Sequence, residues 1–192
     1  MAKFIVIEGI DGCGGNTQTN LLKKYFGKEN VLFLSFPAYN TKIGKLIDDF
    51  LHKRIVLNSD VELLLYFGDI LQFKSSILKA RKKGEIILCD RYFTSTIVHQ
   101  GEKALELNSI FNLPKPDICF LLDVTGKESQ KRKTKEKGTF NSDRNETNLF
   151  FLNDTREKYL KVAKNQVFCK WEIINGEKPI NEIFEIIKSK LK

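Results

Sequence analysis

The chain has 192 residues, 42% of them hydrophobic and 29% charged, with a net charge of +8. That size and composition suit one domain with a sizeable core, and no apolar run approaches the length of a membrane span. The opening MAKFIVIEG runs straight into a strand pattern, which argues against a secretory signal peptide and for a cytoplasmic location.

In chain order, Phe4-Ile5-Val6-Ile7 reads as a buried strand ending at Glu8, followed by a glycine-rich turn and a helical pattern that begins near Thr17. Residues 31–35 form a second short strand, stopped at Phe36-Pro37. Apolar spacing over 41–53 predicts a helix, and Ser59 or Asp60 caps a long helix to about Lys83, ended by Gly84. Residues 85–90 and 118–123 are further strands. A basic stretch over 127–137 precedes a helix over 146–163. A last strand spans 167–174, and Pro179 opens a final amphipathic helix. Five short apolar strands separated by helices imply an α/β fold with a parallel sheet covered on both faces. Ligands of such sheets bind beyond the carboxyl ends of the strands. The glycine turn, the Phe36-Pro37 turn, Asp90-Arg91 and the loop after Asp123 therefore converge on one crevice.

The glycine turn carries the first chemistry. Strand, glycine loop, helix is the setting in which backbone N–H groups meet a phosphate. Gly9 and Gly14 fit the phosphate-loop spacing, but Gly15 stands where that pattern has Lys and Asn16 where it has a hydroxyl. The cysteines at 13, 89, 119 and 169 show neither metal-ligand nor disulfide spacing, and two histidines exclude a His-rich metal site. Cys89, Cys119 and Cys169 fall in expected strands, whereas Cys13 lies in the phosphate loop, open to solvent on this reading. The basic excess suits a polyanionic partner, although a Lys-rich solvated surface accounts for most of it. No DNA- or RNA-binding signature is present.

Several pieces in fixed order resemble the thymidylate kinase family: EGIDG (8–12), SFPAYNTKIGKLI (35–47), LLYFGD (64–69), DRYFTST (90–96), HQG (99–101), LPKPD (113–117), LLDV (121–124) and a basic segment with Asp143-Arg144. The resemblance covers nearly the whole chain. It implies a single domain with the three-layer αβα fold of P-loop NTPases, a five-stranded parallel sheet and a basic lid at about 127–145. It also implies a homodimer and transfer of the ATP γ-phosphoryl group to dTMP with Mg²⁺, without nucleic-acid or membrane partners. On that reading Gly9, Asp11, Gly12, Cys13, Gly14, Gly15, Asn16 and Thr17 hold ATP, and Asp90 with Asn16 holds Mg²⁺, partly through water. Asp11, Phe36, Tyr39, Tyr66, Ile70, Arg91, Ser95, Thr96, Gln100 and Tyr159 line the dTMP pocket. Asp11, Asp90, Arg91, Arg132 and Arg144 take part in catalysis, and Arg156 matches a third family arginine.

The chain departs from the family at Gly15, at Asn16 and at Ile70 or, in a frame shifted by one residue, Asp69, where the family has an acceptor-side arginine; His99 stands at a usually aromatic position. Two other readings follow from those losses: a nucleotide-binding protein without turnover, and a kinase for another nucleoside monophosphate.

Overall fold

The computed structural model describes residues 4–27, 29–137 and 149–191, without the side chains of 136 and 137. Five strands, β1 (Phe4–Glu8), β2 (Val31–Ser35), β3 (Ile86–Asp90), β4 (Ile118–Asp123) and β5 (Trp171–Asn175), form one sheet in the order β2-β3-β1-β4-β5, with every pair parallel. β1 is central and buried along its whole length, because a parallel strand in this position has helices on both faces. Alternation divides its side chains. Phe4 and Val6 join a cluster with Cys89, Leu121, Phe67, Phe93 and Tyr159, while Ile5 and Ile7 join Leu22, Phe120, Ile183 and Ile187. The second face is covered by α1 (Gly15–Phe26) and α9 (Ile180–Lys190). The first is covered by α3 (Ser59–Leu71), α4 (Lys74–Lys83), α5 (Phe93–Gln100) and α8 (Leu149–Lys164). The three-layer arrangement is thus the expected one.

Helix α2 (Lys42–Leu51) starts at Thr41, whose hydroxyl accepts from the Gly44 N–H. A Cβ on Gly44 would lie 2.0 Å from the Ala38 carbonyl, so only glycine lets α2 sit this close to the cis Phe36–Pro37 turn.

The long helix expected to reach Lys83 is instead two. Asn58, not Ser59 or Asp60, caps α3 through the Val61 N–H. The Phe73 N–H then closes a tight turn onto Ile70, and the Gln72 amide folds back onto Asp69. This break lets the Phe73 ring pack edge-on against Phe36 at 5.5 Å. α4 ends as expected at Gly84, which takes a left-handed φ of 77° while Glu85 N–H reaches back to the Ala80 carbonyl.

The last strand is shorter than 167–174. Gln166 and Phe168 adopt positive φ, and Gln166 Oε1 accepts from the Trp171 N–H at 2.7 Å, so pairing begins only at Trp171 and Cys169 lies outside the strand. α5, α6 (Glu102–Phe111) and the helical state of the basic stretch, α7 (Gly126–Lys137), are additional elements. Residues 146–148 of the expected helix over 146–163 lie outside the described residues; α8 covers the rest.

Candidate active site

The turn after β1 ends in Gly14, whose φ of 96° demands glycine, and α1 begins at Gly15. Gly9, Gly12, Cys13, Gly14, Gly15, Asn16 and Thr17 line one cavity together with Asp90, Arg91, Arg132, Lys135 and Lys178. Its floor is a helix N-terminus, where free amide donors and the helix dipole favour an anion. Asn16 Oδ1 accepts from the Asn20 amide at 2.9 Å, which occupies that oxygen with a helical neighbour. Cys13 is buried rather than open to solvent, and burial pushes its thiol up to about 11 against the pull of Arg91. That makes it a packing residue instead of a reactive one.

A Cβ at position 15 would lie 2.7 Å from Asp90 Oδ1. The carboxylate therefore sits against the start of α1, where a longer side chain would begin. Burial raises the Asp90 carboxyl to about 6; Arg91 opposes this, and Glu8 and Asp11 add to it.

On the other side of Asp90-Arg91 lies a second cleft. Asp11, Phe36, Tyr39, Tyr66, Ile70, Arg91, Ser95, Thr96, Gln100 and Tyr159 all line it, together with His99, Glu62 and Asp69. Asp11 faces this cleft and not the phosphate cavity, where its backbone neighbours lie. Arg91 is held by its N–H on the Ile7 carbonyl and by its guanidinium on Asp11 Oδ1 (2.5 Å) and Tyr159 Oη (3.3 Å). Its φ of 64° is costly for a residue with a Cβ, and such strain persists only where the surroundings fix it. Ile70 is buried in the core at the cleft wall, and Asp69 behind it accepts from the Ala38 N–H at 2.8 Å, tying α3 to the Phe36–Pro37 turn. His99 stacks nearly parallel to Phe151 at the rim.

Sequence reasoning left out the residue that organises this cleft. Glu8, 1% exposed at the end of β1, accepts from the Tyr92 N–H (3.0 Å), Thr94 Oγ1 (2.5 Å), Ser95 Oγ (2.7 Å) and Tyr159 Oη (2.9 Å). It thereby binds β1, the start of α5 and α8 to one point. A carboxylate closing a fully apolar strand was the available signal.

Helix α7 lies on the phosphate loop. Ser129 Oγ donates to the Asp11 carbonyl at 2.5 Å, and Arg132 donates to the Gly12, Cys13 and Gly176 carbonyls and to Glu128. Lys133 Nζ is 3.8 Å from Asp11 Oδ2. Arg156 instead forms a two-pronged ion pair with Asp123 at 2.6 and 2.9 Å, so its guanidinium ties α8 to the end of β4. Arg144 lies outside the described residues, as does 138–145 of the lid segment.

Comparison with known proteins decides the family. The thymidylate kinase family profile matches residues 7–187. The chain belongs to the thymidylate kinase family. It is 33% identical over 201 residues to a probable thymidylate kinase of Pyrococcus abyssi, covering 98% of this chain and 95% of that protein. It is 36% identical to a thymidylate kinase of Thermoanaerobacter sp., over 84% of each chain. A crystal structure of thymidylate kinase from Ehrlichia chaffeensis superposes with a TM-score of 0.75 at 25% identity, covering 100% of this chain and 99% of that one. The thymidylate kinase of Candida albicans, at 22% identity and TM-score 0.77 over 99% and 92%, shares the fold. This family uses ATP as phosphoryl donor.

Proposed function

We propose that this chain transfers the γ-phosphoryl group of ATP to dTMP, giving ADP and dTDP. One observation carries the reading: the amide-lined phosphate cavity and the aromatic-walled cleft meet, and Arg91 lines both. A guanidinium at that junction reaches the acceptor phosphate and the transferring group together, which is where phosphoryl transfer gathers charge. Tyr66 and Phe36 offer aromatic surface for a base, and Ser95, Thr96 and Gln100 offer hydrogen bonds for its polar edge. The amides from Gly9 to Gly14 take the β-phosphate of ATP.

Mg²⁺ fits this donor set. Magnesium sites of this kind use one or two carboxylates, several waters and the substrate's own phosphates. Asp90 supplies one carboxylate beside the loop, and no protein donor reaches its side chain among the described residues. When bound, the ion would withdraw charge from the phosphate oxygens; Asp90 would hold it, partly through water, and Asn16, engaged with Asn20, would contribute less.

Placement of the acceptor is checked by titrating dTMP into the protein by calorimetry. Arg91→Ala is expected to weaken dTMP by about 10- to 150-fold, the worth of a charged hydrogen bond to a phosphate. Equal affinity in both proteins would remove Arg91 from the acceptor site.

We also place the chain in a homodimer. Leu46 of α2, Leu64 of α3 and Val56 between the two helices are 45%, 57% and 84% exposed, large apolar side chains that a second copy would cover. Sedimentation should give twice the 22.2 kDa chain mass; a single-chain mass at micromolar concentration contradicts it. No helix among the described residues is long and apolar enough to cross a membrane.

A further inference from the structure

Position 15 leaves the β–γ region of the donor without the ammonium that phosphate loops usually supply. Among the described residues, three cationic side chains besides Arg91 line the cavity: Arg132, Lys135 and Lys178. Arg132 is committed to the loop itself, with its nitrogens on Glu128 and on the Gly12, Cys13 and Gly176 carbonyls. Lys178 is paired with Glu182. Lys135 follows Arg132 by three residues and so shares its helix face. Among the described residues it pairs with no acid, and it lines the same cavity as Gly15 and Asp90. The helix that carries it is seated on the loop through Ser129 and Arg132, which fixes where its side chain starts.

Resting on the kinase reading above, we propose that Lys135 supplies from α7 the positive charge on the β–γ bridge that Gly15 cannot. The bond from the γ-phosphorus to the bridging oxygen breaks, a bond to a dTMP phosphate oxygen forms, and the electron pair of the broken bond stays on the ADP β-phosphate. Lys135 remains protonated throughout and neutralises that developing charge. Gly15 is then half of an exchange: the charge has moved from the loop to the helix lying over it, and the vacated space is taken by the Asp90 carboxylate.

The exchange is tested by a four-protein cycle of the full chain, Lys135→Ala, Gly15→Lys and the double variant, with Lys135→Arg alongside. Each is measured for dTMP-dependent ADP formation and for the affinity of a non-hydrolysable ATP analogue. Lys135→Ala should lower kcat by about 100-fold or more, the usual effect of losing a transition-state donor, while analogue affinity changes by less than about threefold. Lys135→Arg should retain part of the rate. Gly15→Lys should raise the rate little in the full chain but restore it to within about tenfold in the Lys135→Ala background, with Asp90 turning aside to admit the new side chain. An unchanged kcat in Lys135→Ala overturns the proposal, as does a loss that Gly15→Lys does not repair. If the full chain is inactive and Gly15→Lys is active, the proposal falls while the kinase reading stands. If no protein of the cycle turns over dTMP, both fall.

Discussion

Glu8→Ala should be severely destabilising although Glu8 lies outside the phosphate loop. Four donors converge on this carboxylate from residues 84 to 151 positions away, and Thr94 and Tyr159 are as buried as Glu8 itself. Alanine leaves them without an acceptor at about 1–3 kcal/mol for each that finds no other partner. Ser95 and Tyr159 hydroxyls, already 3.0 Å apart, offset part of this by pairing with each other. The expected loss is about 4 kcal/mol, a large share of the 5–15 kcal/mol typical of a domain. Glu8→Gln keeps one acceptor oxygen, and the hydroxyls can turn to accept from its amide, so about 1–2 kcal/mol is expected there. Urea unfolding measures both. A Glu8→Ala protein within 1 kcal/mol of the parent would show that the four bonds are replaceable by water. Because Tyr159 also holds Arg91, the alanine variant should bind dTMP poorly even where it remains folded.

Asp90→Asn should make the protein more stable and nearly inactive. The Asp90 carboxyl is raised to about 6, against an ordinary value of 3.8, by burial and by Glu8 and Asp11. A group that holds its proton more tightly when folded favours the folded state below the unfolded value. That advantage is lost as pH rises from about 4 to about 6, and the protein above pH 6 carries the full cost of the buried charge. A shift of this size corresponds to about 3 kcal/mol, reduced to about 2 by the partial exposure of the side chain. Asparagine removes the cost, so its stability gain should be near zero at pH 4, grow to pH 6 and stay constant above it. Thermal denaturation at pH 4 and pH 8 checks the sign; an equal difference at both values would mean that Asp90 titrates normally. Activity should move the other way, falling by about a hundredfold or more with loss of the carboxylate. In the parent, kcat/KM should drop as Asp90 takes up its proton below about pH 6.

The parallel sheet was legible because each strand is a short apolar run between turn residues, and burial on both faces is what such runs require. What was not legible depended on contacts far away in sequence. α5 contains Thr94, Thr96, Ile97 and Val98, β-branched residues of low helix propensity, and it is helical because Glu8 and the core hold its first turn. The break at Gln72-Phe73 goes with a ring contact between Phe73 and Phe36, which no local spacing announces. The cleft residues were read from family resemblance, and the fold brings all ten to one surface. Spacing alone would not have joined Tyr39, Tyr66 and Tyr159. Arg156 shows the opposite case: a basic residue in a plausible frame whose charge is taken by Asp123.

Coupled ADP release from the full chain with Mg²⁺ and ATP, compared across dTMP, dUMP, dGMP and no acceptor, tests whether this protein phosphorylates dTMP. Rapid ADP formation that depends on dTMP, with dGMP near the acceptor-free background, is the predicted result. Release that is the same with and without dTMP, in a protein that still binds both nucleotides, would contradict it and leave a binding protein without turnover.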